Sequence, residues 1–451
     1  MAMGKLRRRT QKPLWIEASS VKRGAGHPFY QRLSQLLEQH GFDELVEQEC
    51  RGFYAERMGR PSLAPAVYFR MLLIGYFEGI DSERGIAWRV ADSISLRSFL
   101  GFDLTDTLPD HSTVSRTRRL IDVETHAAVF GKVAQVLAKE GLLKGKTLGI
   151  DATTLEANAA LRSIQRRDSG ETYQEFLTQL AKASGIETPT REDLARLDRK
   201  RGKKGSNDDW QNPHDPDAKI TKMKDGRTHL AHKAEHAVDM ETGAVVAVTV
   251  QPADHGDTTS MEATLAEIAA VFDDVLADPE AAAGLRDSFF SEIVADKGYH
   301  SNDVLRSRRS EQLRTYISEP KRGRRRWVGK AADKAAVYAN RKRIRGDRGR
   351  QLLRRRGELV ERPMAHAYET GGMRRTHLRG HTNIRKRLLI HFAGLNLGLL
   401  MRKCFGHGTP RGLQGLSAAL LALARASKRL LKSLQGYSGP IWLPQPLSLA
   451  V

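Results

Sequence analysis

Apolar positions recur at helical intervals from Pro28 to about Glu140. In "FYQRLSQLLEQHGFDELVEQ", Leu33, Leu36, Leu37 and Phe42 fall at helical spacing, and Gly41 predicts a break. The stretch "APAVYFRMLLIGYFEG" is apolar nearly all round, which predicts a more buried helix. A third helical region, "SERGIAWRVADSISLRSFLGF", is interrupted near Asp92. In "DHSTVSRTRRLI", Asp110 or Ser112 can cap a helix whose exposed face carries Arg116, Arg118 and Arg119. Tandem helices ending in a capped basic one suit a helix-turn-helix reader of DNA, although a solvated basic face fits the same pattern.

At Thr147 the period changes to two. "KTLGIDATTLEAN" reads as a strand with Gly149, Asp151 and Thr153 on one face, opposite Leu148 and Ile150, and Gly149 is expected to leave space beside the acid. "HLAHKAEHAVDMETGAVVAVTVQ" is a hairpin around Asp239 to Gly243, with Gly243 suited to the positive φ of the turn. "FFSEIVADKGY" is a further strand ending on Asp296. Helical patterns alternate with these strands, which predicts an α/β domain. The apolar window Leu388 to Met401 is too short to span a bilayer and holds His391 and Asn396, so it reads as a core helix, with an interfacial helix as the alternative. Residues 160–228 read as a polar insertion, partly helical around Gln174 to Lys182, and Leu413 to Leu434 as an Ala/Leu-rich helix.

Charge narrows the function. The 451 residues carry a net charge of +21, which calls for a polyanionic partner, nucleic acid before a membrane surface. Residues 301–360 contain 20 Lys and Arg against 6 Asp and Glu, most of the surplus in one stretch. Trp327, Val328, Tyr338, Leu352 and Leu353 are interleaved with the arginines of its basic run, 320–356, and that pattern suits a nucleic-acid groove. Cys50 and Cys404 form no disulfide or zinc pattern, and no secretory signal opens the chain. A cytoplasmic, nucleoid-associated protein is expected, with no membrane partner.

Three acids interrupt apolar patterns: Asp151 within a strand, Asp296 at the end of another, and Glu361 in the helical pattern "GELVERPMAHAYE". Strands disfavour Asp, and buried unpaired acids are costly together. A hard divalent cation removes that conflict and leaves water and phosphate oxygen free to join it. Single Asp and Glu residues are usually solvated, and Asp208, Asp209, Asp215, Asp217, Asp254 and Asp257 compete, so spacing alone does not choose the trio.

"GIDATTLEAN", "VADKGYHSNDVL" and "LVERPMAHAYETGGMRRTHLRGHTNIRKRLLIHFAGLNLGLLMR" together resemble a DDE transposase of the insertion-sequence type, over most of residues 30–402. "DPDAK" ahead of the hairpin, and Tyr54 to Ile121, resemble parts of the same proteins. The resemblance implies an RNase H-like mixed-sheet core behind an all-helical domain, with Asp151, Asp296 and Glu361 as catalytic and metal-binding residues for Mg²⁺, or Mn²⁺ in its place. It implies a helical DNA-binding domain over 29–140 and a catalytic domain over 141–402; outside it, the residues themselves read as a basic arm over 1–28 and a helical tail over 403–451. It also implies binding of double-stranded DNA at element ends and target, as a homodimer on DNA, with cleavage and strand transfer. A catalytically inactive DNA-binding derivative and a structure-selective nuclease are the alternatives. Related elements often carry an Arg three or four residues before the Glu and a Lys seven after it. Here Arg356 lies five before, position 368 is Tyr, and Arg362, Arg374 or Arg375 are expected to serve the phosphate, with Lys297 beside it. Pro363 predicts a helix that starts near Glu361 or kinks there.

Overall fold

The computed structural model describes residues 26–55, 62–201, 205–223, 225–321, 323, 325–413 and 427. The expected basic arm, up to residue 25, and the expected helix beyond Leu413 lie outside the described residues. The first part of the chain is helical, as the periodicity predicts: α1 (Pro28–Gln39), α2 (Phe42–Cys50), α3 (Pro65–Glu78), α4 (Glu83–Ala91), α5 (Ile94–Phe99), α6 (His111–Leu120) and α7 (Val123–Lys139). Gly41 adopts φ 61° and turns the chain between α1 and α2, a conformation a side chain would resist. Ten consecutive residues of α3, Tyr68 to Phe77, are buried, which accounts for its lack of a polar face. Asp110 caps α6 by accepting the Thr113 amide at 2.7 Å.

The helix-turn-helix expectation does not match this arrangement. Residues 100–110 separate α5 from α6, far more than the three- or four-residue turn of that motif. Arg118 also departs from the exposed basic face expected of it. It is buried, donating to Glu83 Oε1 at 2.7 Å and to Asn383 Oδ1 at 3.0 Å. Helical geometry explains this: Val114, Thr117 and Arg118 share the inward face, while Arg116 and Arg119 stay exposed.

The strands are β1 (Thr147–Glu156), β2 (Gln165–Arg166), β3 (Trp210–Gln211), β4 (Lys219–Lys222), β5 (Thr228–Asp239), β6 (Val245–Pro252), β7 (Glu292–Ala295) and β8 (Arg314–Ile317). The main sheet runs β4-β5-β1-β7-β8, with β6 also paired to β5. β1 is antiparallel to β5 and parallel to β7, which is parallel to β8. This is the mixed sheet of an RNase H-like fold. Gly243 takes φ 81° in the β5–β6 turn, as its place in the sequence requires.

Between β1 and β5 lie the small β2–β3 ribbon and helices α8 (Tyr173–Ala183) and α9 (Arg191–Lys200). They pack on small clusters of their own, one around Ile164, Trp210 and Leu230, another around Leu177, Ala181 and Leu194. The expected insertion over 160–228 therefore closes earlier than its composition suggested, because Lys219–Lys222 already belongs to the main sheet. Helices α10 (Asp257–Leu276), α11 (Pro279–Ala282), α12 (Asn302–Ser310), α13 (Ala331–Arg345), α14 (Asp347–Ala365) and α15 (His381–Phe405) complete the described fold.

α15 contains the apolar window and is a core helix. His381–Leu413 is apolar enough to cross a membrane by composition, yet α15 packs on α3 and α7 on one side and on β6 on another. Asn396 explains a polar residue in that window: it accepts the Val245 amide at 2.9 Å and donates to the Val245 carbonyl at 2.8 Å.

Candidate active site

The β1–β7 register brings Asp151 and Asp296 to one edge. The last pair is Gly149 with Val294, and each aspartate lies two residues beyond it on its own chain. Steps of two keep the side chains on one face, and paired strands lie about 4.8 Å apart. Asp296 no longer extends the strand. Its Oδ1 accepts the Gly298 amide at 2.8 Å and so caps the single turn Lys297–Tyr299. Lys297 is exposed on that turn.

Helix α14 lies across this edge and is fixed at two points. Arg348 donates to Glu292 Oε2 at 2.5 Å, at the start of β7, and Arg356 donates to Asp151 Oδ2 at 2.9 Å. Eight helical residues rise about 12 Å. From Thr147, the partner of Glu292, to Asp151 the strand rises about 13 Å, so helix and strand match in length. Asp151 and Arg356 are each more than four-fifths buried in their side chains, where an ion pair is weakly screened. Asp151 Oδ1 accepts the Ala152 amide at 2.9 Å.

Gly149 does not leave open space beside Asp151, as the sequence suggested. A Cβ there would stand 2.5 Å from Val360 Cγ2 and 2.7 Å from Met240 Sδ. The missing side chain admits α14 instead. On the other side of Val360, its carbonyl accepts His236 Nε2 at 3.2 Å. His236 is the β5 partner of Asp151, and burial holds its ring well below the ordinary imidazole range.

Glu361 follows Val360 and is exposed. At about 100° per residue it sits on the flank of α14 rather than on the face against the sheet. Among the described residues, no three His, Cys, Asp or Glu side chains converge closely enough to share one ion. The register thus brings Asp151 and Asp296 to a common edge, while Glu361 stands exposed on the flank of the helix and does not converge with both of them. Their hard oxygen donors fit a divalent cation of the Mg²⁺ type.

Of the two expectations for this helix, a start near Glu361 is not what the structure has. The helix begins at Asp347, and Pro363 lies inside its last turns, just before a π-helical turn at His366–Thr370. Of the arginines expected at the phosphate, Arg362 pairs with Glu358 at 3.1 Å, Arg374 with Glu369, and Arg375 lies 3.8 Å from Glu156. All three are exposed, whereas Arg356 is the arginine that touches an expected catalytic acid. Its five-residue offset had hidden this.

Two further groups of polar residues carry roles that sequence reasoning missed. In "DPDAK", buried Asp215 accepts His232 Nε2 at 3.0 Å and the Gly380 amide at 3.1 Å, while Asp217 accepts the His381 amide at 2.9 Å. Together they satisfy the start of α15. On β5, Lys233 and Glu235 are buried among alanines. Two charges on a buried strand face were the available signal in "HLAHKAEHAVD".

Residues 18–120 match the family described as Transposase domain (DUF772), and residues 198–397 match the Transposase DDE domain family. Asp296 and Glu361 fall within the second match, and Asp151 lies before it. No curated protein and no solved structure matches the chain.

Proposed function

The chain belongs to the DDE transposases of the insertion-sequence type, and from that premise we propose that it binds the terminal inverted repeats of its own element, cuts the DNA there and joins the freed end to a target. The observation that carries this reading is the emergence of Asp151 and Asp296 from neighbouring strands on one edge, beneath a cationic helix. In the first step water attacks a phosphorus and the P–O3′ bond breaks, leaving a 3′-hydroxyl and a 5′-phosphate. In the second, that hydroxyl attacks a target phosphodiester, whose own P–O3′ bond breaks.

Asp151 and Asp296, completed by Glu361, would hold Mg²⁺, or Mn²⁺ in its place, which would supply positive charge at the phosphate and lower the pKa of water. Arg356 is within reach of the same edge and can donate to a phosphate oxygen when Asp151 takes another cation partner. Lys297, exposed beside Asp296, offers a second donor to the backbone. Arg116 and Arg119 offer phosphate contacts from the helical region, whereas Arg118 is committed to Glu83 and Asn383. Two ends must be held together for joining, so a homodimer on DNA is the working assembly.

The test is a labelled duplex carrying an element end, incubated with Mg²⁺. Asp151→Asn and Asp296→Asn should each lower nicking about a thousandfold or more while duplex affinity is retained. Unchanged cutting by either variant removes that residue from the site. Binding by the unmodified protein without nicking would identify an inactive DNA-binding derivative, and nicking without joining a nuclease.

A further inference from the structure

The turn that presents Asp296 is anchored from behind by residues that take no part in the steps above. Tyr299, fully buried, donates its hydroxyl to Glu235 Oε2 at 2.7 Å. Glu235 lies on β5 opposite Ala152, so it stands on the reverse face of the sheet from Asp151. It is 0% exposed and also accepts Ser260 Oγ at 2.7 Å and Thr264 Oγ1 at 2.5 Å. Lys233, two residues earlier on that face, donates to Ser260 Oγ at 2.8 Å, Asp257 Oδ1 at 2.6 Å and the His255 carbonyl at 3.1 Å. The other oxygen of Asp257 packs against Gly298, where an added Cβ would meet it at 2.1 Å and Asp296 Oδ1 at 3.0 Å.

Successive residues of the turn therefore meet one network, Gly298 by close contact with Asp257 and Tyr299 by its hydrogen bond to buried Glu235. A single three-residue 3₁₀ turn has little stability of its own. Its local hydrogen bond, from the Gly298 amide to Asp296, fixes the carboxylate relative to the turn but not the turn relative to β1. A carboxylate receiving three hydroxyl donors is directional where apolar packing is not. Small displacements at a reacting centre cost large factors in rate.

Resting on the function proposed above, we propose that Glu235, Tyr299 and the Lys233–Asp257 pair are positioning residues: a clamp that sets the direction in which Asp296 presents its carboxylate beside Asp151. Tyr299→Phe keeps the packing and removes only the tie. Tyr68→Phe is the control, because it deletes another buried hydroxyl, bonded to His126 at 3.0 Å, in the helical region.

In the full chain without DNA or metal, hydrogen exchange at the Gly298 amide should quicken about tenfold in Y299F and stay unchanged in Y68F. In the nicking assay, Y299F should need about tenfold more Mg²⁺ for half-maximal rate, with duplex affinity unaltered. Should Y299F fail to fold, Asp257→Asn, which removes the charge that pairs with Lys233 and so loosens the residue packed against Gly298, is expected to give the same two shifts. Equal exchange in Y299F and Y68F, or an unmoved Mg²⁺ requirement, overturns the clamp. Turn exchange that responds as expected in a protein that never nicks overturns the proposed reaction and leaves the clamp standing.

Discussion

At the scale of single residues, a carboxylate on a strand needs a reason, which set the two aspartates apart, but the family resemblance and not their spacing chose them among the competing acids. Asp151 and Asp296 supply that reason by lying at the same step beyond one register. Gly149 was misread, since a sequence shows that a side chain is missing but not what fills the gap. Val360 and Met240 fill it. Gly149→Ala should therefore destabilise the fold by about 1–3 kcal/mol, the usual cost of overpacking, and urea unfolding reads it directly. An unchanged midpoint would mean that α14 yields without cost. Arg118 was misread for a related reason. Three arginines within four residues look alike in sequence, yet only helical phase and the acid Glu83, 35 residues away, decide which one turns inward.

At the scale of elements, the α1–α2 break, the gap between α4 and α5, the hairpin and the core helix could all be read from periodicity and glycine placement. The long α14 could not, because its arginine-rich first half carries few apolar markers and Pro363 suggests a boundary. Its course is set by Glu292 and Asp151, acids far away in the chain. The packed pair α7 and α15 carries a pH dependence. In α7, His126 donates from Nδ1 to the Asp122 carbonyl at 2.6 Å and accepts the Tyr68 hydroxyl, and burial lowers its pKa to about 4. In α15, His391 donates to the Gly371 carbonyl at 2.8 Å, and burial with the neighbouring Arg387 lowers it to about 3. Both rings are neutral in the folded chain, while the unfolded chain protonates near pH 6.5. Stability is therefore complete above pH 6.5 and falls as the pH drops toward 3, His126 withdrawing on the order of 3 kcal/mol by pH 4 and His391 on the order of 5 kcal/mol by pH 3. Melting temperature against pH should show this fall, and His126→Gln should flatten its upper part.

At the scale of the whole molecule, the charge predicted a polyanionic partner, but it does not act as a uniform coat. In the basic stretch Arg341 is bound by Glu319, Arg348 by Glu292, Arg350 by Asp347 and Arg356 by Asp151. Lys342, Arg345 and Arg354 are exposed, and no carboxylate pairs with them among the described residues. Changing these three to Gln should reduce the slope of log affinity against log salt by about one unit for each lost phosphate contact. An unaltered slope would place this stretch away from DNA. The +14 surplus was visible in the sequence, but which cations are spent within the fold depends on acids brought to them by the sheet.

The placement of α15 has a bearing on how such a protein can diversify. One helix serves as interior wall for both halves: Lys386 reaches the Arg118 carbonyl and Arg387 the Ile80 carbonyl, while Asn396 is bonded to β6. Neither half owns that wall. The amino-terminal helices are thus poor material for exchange as a cassette among relatives, and change in that half falls more readily on surface side chains such as Arg116 and Arg119.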